Sequence, residues 1–176
     1  MKRRPNVRPT TRKVAEALFQ ILENRVGSFE GLRVLDVCAG TGQFGIEALS
    51  RGAGEVAFVE ADRATASALR GRLAEKSFAG RPLVVNAAAP QALARLEGAF
   101  DVTFMDPPYG TDVAAESLRV MAERGMVRPG GTVAVEHHHK DNVPEINGEL
   151  HRYRLQRYGE TAVSFFQPTG GSDIHA

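Results

Sequence analysis

The sequence predicts an α/β domain built on a mostly parallel sheet with helices on both faces, ending in an antiparallel hairpin. Three observations carry this. From Arg33 onwards, short apolar runs alternate with stretches of helical periodicity. The first apolar run leads straight into a glycine-rich turn, Gly40-Thr41-Gly42-Gln43-Phe44-Gly45. The last two apolar runs, His151–Tyr158 and Thr161–Gln167, meet at Gly159-Glu160 as the arms of a hairpin would.

The elements follow in order. Residues 1–9 contain Pro5 and Pro9 and read as an extended arm. Val14, Ala17, Leu18, Ile21 and Leu22 then recur at helical spacing, with Thr10 or Thr11 as the cap. Gly27 and Gly31 bracket a loop. Val34–Cys38 reads as a buried strand, followed by a helix from Gln43 to Arg51. Glu55–Glu60 is a second strand and Arg63–Lys76 a helix with Leu69 and Leu73 facing inward. Leu83–Ala87 is a third strand, Pro90–Leu96 a short helix and Phe100–Met105 a fourth strand. A helix from Val113 to Met126 ends at Arg128-Pro129-Gly130-Gly131, and Thr132–Glu136 is a fifth strand. Residues 138–148 are polar and read as a loop.

The chain has 176 residues, which suits one compact domain. The expected division is a basic arm over 1–9, one domain over 10–168, and a Gly- and Ser-containing tail over 169–176 expected to be disordered. No apolar run approaches the ~20 residues needed to cross a bilayer. None of signal-peptide length follows the basic start, so the expected location is the cytoplasm. The single cysteine, Cys38, excludes an internal disulfide and a cysteine-rich zinc site. The net charge of +1 conceals an asymmetry: Lys2, Arg3, Arg4, Arg8, Arg12 and Lys13 all precede residue 14, leaving 16 of the 22 basic residues against all 21 acidic ones. A basic arm on an acidic body points to a polyanionic partner, because each neutralised phosphate releases counterions. A solvated, frayed terminus is the bland alternative.

In an open α/β sheet, ligands bind at the carboxyl ends of the strands, near the point where the strand order reverses. The first strand-to-helix turn carries Asp36-Val37-Cys38-Ala39-Gly40-Thr41-Gly42. Gly40 and Gly42 permit a positive φ and a close approach of ligand to backbone. With Gly45 they also match the dinucleotide spacing, so an NAD-dependent oxidoreductase is one reading. Asp36 separates the two classes of ligand. A carboxylate there repels a pyrophosphate but attracts the sulfonium and α-amino groups of S-adenosylmethionine; a cap or loop brace is the other role open to it. Glu60, ending the second strand, can accept two hydrogen bonds from a ribose diol. Asn86 and Ala87, ending the third, fall where an adenine would lie, Asn86 for the base edge and the Ala87 N–H for a ring nitrogen; an ordinary polar strand end is the alternative.

The fourth strand runs into Asp106-Pro107-Pro108-Tyr109. Two prolines fix φ twice and remove two N–H donors, so the segment is stiff and presents carbonyls. That suits an exocyclic amine on an aromatic ring. The Asp106 carboxylate can accept one of its hydrogens and the Pro107 carbonyl the other, directing the nitrogen at a methyl group and favouring a positively charged transition state. Tyr109 offers a ring for the base, which must be unpaired or flipped out.

Taken together these residues resemble the class I, Rossmann-like, S-adenosylmethionine-dependent methyltransferases, with Asp106–Tyr109 similar to their amino-methylating branch. Arg8-Pro9-Thr10-Thr11, Gly45-Ile46-Glu47-Ala48-Leu49-Ser50-Arg51-Gly52-Ala53 and Arg157-Tyr158-Gly159-Glu160-Thr161 resemble the bacterial 16S ribosomal RNA guanine-N2 methyltransferases. The resemblance covers roughly residues 8–167. It implies a seven-stranded sheet and methylation of the N2 amine of one guanine in small-subunit ribosomal RNA, free or in an assembling 30S particle, by a monomer that needs no metal and no membrane. By motif position, Asp36, Ala39, Gly40, Gly42, Glu60 and Ala61 would line the cofactor, with Asn86 and Ala87 at its adenine. Asp106, Pro107, Pro108 and Tyr109 would hold the target amine, and Arg3, Arg4, Arg8, Arg12 and Lys13 the RNA. Two departures stand out. Only seven residues precede Arg8, fewer than the family usually has, which implies weaker or redistributed RNA contacts. Asn86-Ala87-Ala88 also lacks the acidic residue that many relatives carry.

Other readings are a DNA amino-methyltransferase and a non-catalytic nucleic-acid-binding module. His137, His138 and His139 are expected on a solvated loop rim, since three successive side chains on a strand cannot converge on one metal. Cys38 is expected to pack, and Tyr153 and Tyr158 to cover core or edge.

Overall fold

The computed structural model describes residues 12–170. Among them the order is α1 (Arg12–Val26), β1 (Arg33–Val37), α2 (Gln43–Ser50), β2 (Glu55–Glu60), α3 (Arg63–Ala74), β3 (Arg81–Asn86), α4 (Ala89–Leu93), β4 (Phe100–Met105), α5 (Val113–Glu123), β5 (Val127–His138), β6 (Ile146–Asn147), β7 (Leu150–Tyr158) and β8 (Thr161–Pro168). All strands join one sheet in the order β3-β2-β1-β4-β5-β8-β7-β6. The first five are mutually parallel; β8, β7 and β6 continue antiparallel. The winding reverses between β1 and β4, which opens a crevice at their carboxyl ends.

Helices cover both faces, which is why β1, β2 and β4 are near-continuous apolar runs. One face packs α1, α2 and α3 through Phe19, Phe44, Leu69, Phe58, Phe104 and Phe165. The other packs α4 and α5 through Leu93, Leu118, Met121, Met105 and Phe166. Phe19, Phe44 and Phe104 stack in series, with centroids 4.9 and 4.5 Å apart, and fix α1 and α2 over the end of β4. Among the described residues no helix is long and apolar enough to cross a membrane.

The expected α/β class and terminal hairpin are present. The sheet has eight strands rather than seven because the 138–148 segment contributes β6, a two-residue edge paired Ile146 to His151 and Asn147 to Leu150. Two residues are too few for alternation to register, and Ile146 is 71% exposed. β5 begins at Val127, not Thr132. The Pro129-Gly130-Gly131 segment stays in the strand, with an irregularity opposite Phe100/Val102. Gly131 allows it: a Cβ there would lie 2.8 Å from the Asp101 carbonyl oxygen. β5 also reaches His138, so His137 and His138 belong to the strand rather than to a solvated loop rim, while His139 begins the turn. His137 is 5% exposed, its Nε2 2.9 Å from the Ser164 hydroxyl, and burial lowers its pKa.

Gly45 shows the close packing of α2 on β2. A Cβ at this position would lie 2.2 Å from the Phe58 ring and 2.9 Å from Val56. Gly45→Ala is therefore expected to destabilise the fold by about 1–3 kcal/mol through overpacking. Urea titration should show a lower midpoint at an unchanged slope.

Candidate active site

The turn after β1 is held by its own acids. Cys38, Gly40 and Gly42 all have positive φ (59°, 54° and 73°). Such a backbone costs a non-glycine residue roughly 1–2 kcal/mol, so something must stabilise it at Cys38. Ala39 N donates to Val59 O and Gly42 N to Ala39 O. Glu60 accepts from Gly40 N at 2.8 Å through Oε2 and from Asp62 N at 2.8 Å through Oε1. Asp36 is 2% exposed, and its Oδ2 accepts from Gly45 N at 2.9 Å in the first turn of α2. The structure thus makes Asp36 a buried brace for the loop rather than an open ligand-facing group. Gly42 also lets α3 approach, since a Cβ would lie 2.4 Å from Leu69.

Asn86 departs further from expectation. Its amide NH2 donates to the carbonyls of Glu60 and Ala61, at 2.9 and 3.0 Å. Those donors hold the β2 end against β3 and are not directed at a base edge. Ala61 is exposed beside them, and Ala87 packs partly against the α4–α5 face.

At the neighbouring strand end, Asp106 N donates to Val37 O at 3.2 Å, tying β4 to β1 just where the loop begins. Pro107 is buried, whereas Asp106, Pro108 and Tyr109 are open to solvent. Tyr109 is 46% exposed; its hydroxyl lies 3.2 Å from Thr161 Oγ1 and donates to Glu136 Oε1 at 3.4 Å. Thr111 Oγ1 donates to Pro108 O, and Asp141 Oδ2 accepts from both Gly110 N and His138 N. The proline segment is therefore clamped to β5, β8 and the β5–β6 connection. Behind it, on the α4–α5 side, lies a hollow of about 190 Å³ lined by Pro107, Thr111, Ala114, His137 and Val143.

Strand alternation decides where the acids point. Phe104 and Ala134 belong to the α1–α3 face, Met105 and Val135 to the other. One residue further, Asp106 and Glu136 fall on the α1–α3 face again, and Asp36 shares it, being paired with Phe104. Burial pushes the Asp36 carboxyl up to about 8; the Gly45 amide opposes this, and the charges of Asp106 and Glu60 add to it. Burial, then Asp106, lifts Glu136 to about 7, against the Tyr109 hydroxyl. Burial lifts Asp106 to about 6, although its solvent-open side leaves part of that shift to screening by water. The Cys38 thiol rises to about 12 through burial and then Glu60, Asp106 and Asp36, so it stays protonated and unreactive.

Carboxylates that raise one another's pKa form a site suited to a cation. The donor set fits S-adenosylmethionine, whose sulfonium and α-ammonium carry positive charge, beside a loop whose positive-φ glycines admit close contact. It does not fit a pyrophosphate. Among the described residues no group of three or more His, Cys, Asp or Glu could hold a metal ion.

Of the basic residues expected to meet a polyanion, Arg3, Arg4 and Arg8 lie outside the described residues, as does the tail from 171. Arg12 and Lys13 open α1, and only their backbone is described. Glu136, Thr161 and Asp141 were not anticipated. Glu136 had a legible signal: an acid ending an apolar run, in the strand after Asp106. Thr161 and Asp141 had none, because their roles depend on the hairpin returning beside β5.

Residues 1–167 match the family model described as conserved hypothetical protein 95. The chain is 34% identical to the candidate rRNA methyltransferase YlbH of Bacillus subtilis, over 94% of this chain and 90% of the relative. It is 32% identical to ribosomal RNA small subunit methyltransferase D of Escherichia coli K12, over 93% and 80%. A solved structure from Escherichia coli, the candidate methyltransferase yhhF, superimposes with a TM-score of 0.79 at 30% identity, covering 93% of this chain and 89% of that one.

Proposed function

The chain belongs to the conserved hypothetical protein 95 family, whose members include small-subunit ribosomal RNA methyltransferase D, and on that premise we propose that it methylates the exocyclic N2 amine of a guanine in 16S ribosomal RNA with S-adenosylmethionine. The observation that carries the reading is the juxtaposition of two strand ends. The acid-braced glycine loop after β1 and the Asp106–Tyr109 segment after β4 are joined by the Asp106 N–H to Val37 O hydrogen bond.

S-adenosylmethionine supplies an electrophilic methyl group on a cationic sulfur. The loop residues Ala39, Gly40 and Gly42 would hold it, with Glu60 and Ala61 beside its ribose and Ala87 beside its adenine. Asp36 acts on it through charge, because its hydrogen bond goes to Gly45. Asp106 accepts one N2 hydrogen of the base and the Pro107 carbonyl the other. The amine lone pair is thereby turned away from the ring, and the positive charge that develops on nitrogen faces a carboxylate. With S-adenosylmethionine bound, the N–C bond would form as the methyl–sulfur bond breaks, S-adenosylhomocysteine leaving as the neutral thioether, and the amine proton would pass to Asp106 and then to water. Tyr109 and Pro108 border the base. Such an enzyme works in the cytoplasm, as a monomer, on the RNA or on an assembling 30S subunit.

Transfer of tritiated methyl to small-subunit RNA or subunits, followed by nucleoside analysis, tests the reading. The expected product is N2-methylguanosine. Incorporation only into duplex DNA, or none with S-adenosylmethionine bound, would reject it. Neutralising Arg3, Arg4 and Arg8 together is expected to weaken RNA binding and to lower the slope of log affinity against log salt by about two to three. An unchanged slope would remove the arm from the RNA interface.

A further inference from the structure

Asp106, just past β4, and Glu136, within β5, sit side by side, one residue beyond the Met105–Val135 pair and on the same face of the sheet. Holding an amine accounts for one of them. Asp106 and the Pro107 carbonyl already meet both amine hydrogens, so the reaction as proposed gives Glu136 no part. Its position is nonetheless costly. It is 8% exposed and lies within the influence of the Asp106 charge. A hydrophobic residue at this position would avoid both penalties. Among the described residues its one donor is the Tyr109 hydroxyl, at a long 3.4 Å to Oε1, and none reaches Oε2. Tyr109 is half exposed and Thr161 holds the same hydroxyl, so the acid lies at the hydroxyl tip of the ring expected to meet the base.

The bases differ in what stands next to the reacting amine. In guanine, the carbon bearing N2 is flanked by N1, which carries a hydrogen. In adenine and cytosine, the ring nitrogen beside the amine-bearing carbon, on its Watson–Crick side, is a bare acceptor. A single carboxylate meets any of the three amines. A second carboxylate beside it finds a donor only in guanine, and finds a lone pair in the other two. We propose that Glu136 is the base-specificity residue of this site, accepting the N1–H of the target guanine while Asp106 accepts an N2–H. This rests on the guanine-N2 reading above and assigns the group that selects guanine. Burial and the Asp106 charge raise the pKa of Glu136, and two donors arriving together on one base edge would favour the ionised form of both acids. Tyr109 is then a positioning residue for Glu136 as well as a border to the base.

Two analogues isolate the N1 position. 2-Aminopurine and 2,6-diaminopurine keep the 2-amine but present N1 as an acceptor, and they differ from each other at C6. Each is placed at the mapped target position in small-subunit RNA, and methyl transfer is compared with the guanine RNA. The wild-type protein is expected to show kcat/KM at least about tenfold higher for guanine than for either analogue, since a site built to receive a hydrogen-bond donor rejects a base lacking it. In Glu136→Gln, the side-chain amide can turn its oxygen or its NH2 to N1, and the preference should narrow to within about threefold for both analogues. Equal wild-type rates on all three bases would overturn the proposal, whether or not Glu136→Gln folds. So would an unchanged preference in a folded Glu136→Gln. Absence of methylation on the guanine RNA by the wild type rejects the underlying reading instead, and is distinguishable because neither ratio can then be formed.

Discussion

Asp106→Ala is expected to slow methyl transfer at least ~100-fold in single turnover while changing S-adenosylmethionine affinity by no more than about threefold. The division follows from where the residue sits. Its backbone N–H bonds Val37 O whatever the side chain, so β4 stays joined to β1 and the glycine loop keeps its entry point. The loop beyond is clamped independently, by Thr111 on the Pro108 carbonyl and by Thr161 and Glu136 on Tyr109. The substitution therefore removes a carboxylate and little else. What is lost is the acceptor for one amine hydrogen and the negative charge facing the nitrogen as it becomes positive. Asp106→Asn keeps an oxygen acceptor without the charge and should fall between alanine and wild type. Rapid-quench transfer assays and calorimetric cofactor titration on the same preparations separate the two effects. A loss of cofactor affinity comparable to the loss of rate would move Asp106 into the cofactor half of the site.

Much of this molecule can be read from its chain, for identifiable reasons. β2 and β4 match their expected bounds of Glu55–Glu60 and Phe100–Met105 because each is a buried apolar run with turn residues at both ends. Gly40, Gly42, Asp106 and the two prolines are legible because their chemistry is local: a backbone conformation, a missing donor, a charge at a strand end. What the sequence conceals is whatever a distant partner decides. Asp36 carries the right charge in the right turn, but only the approach of α2 shows that its oxygen goes to Gly45 N. Asn86 looks like a base reader until β2 is laid beside it and its amide goes to Glu60 and Ala61. His137 reads as surface in a run of three histidines, and becomes interior because β8 returns Ser164 to it. The Pro129-Gly130-Gly131 segment carries every local signal for a turn. It remains strand because Gly131 lets β5 come against the Asp101 carbonyl.

The second large effect is a reversal of the usual dependence of stability on pH. Asp36, Glu136 and Asp106 have pKa values raised to about 8, 7 and 6 in the folded, ligand-free protein, against ordinary carboxyl values near 4 in the unfolded chain. Between those limits the folded state binds more protons than the unfolded state. The resulting stabilisation is complete below about pH 4 and is lost as pH rises through 6 to 8. For Asp36 alone, the loss between pH 6 and pH 8 is on the order of 2 kcal/mol. The free protein should therefore melt at a higher temperature at pH 6 than at pH 8. Binding of a cation beside the glycine loop requires Asp36 ionised, so S-adenosylmethionine affinity should run the other way. It should rise towards pH 8 by up to about tenfold per pH unit for each proton released. Asp36→Asn separates charge from bracing, since its amide oxygen can still accept from Gly45 N while the titration is gone. It should flatten most of the melting-temperature change above pH 6 and bind cofactor more weakly at pH 8. It should also release fewer protons on binding, measured by calorimetry in buffers of different ionisation enthalpy. A free protein that melts higher at pH 8 than at pH 6, or a cofactor affinity flat across that range, would mean that these carboxyls are already ionised without a ligand. The acids would then be a structural brace with no electrostatic hold on the cofactor, and the glycine loop alone would have to account for its binding.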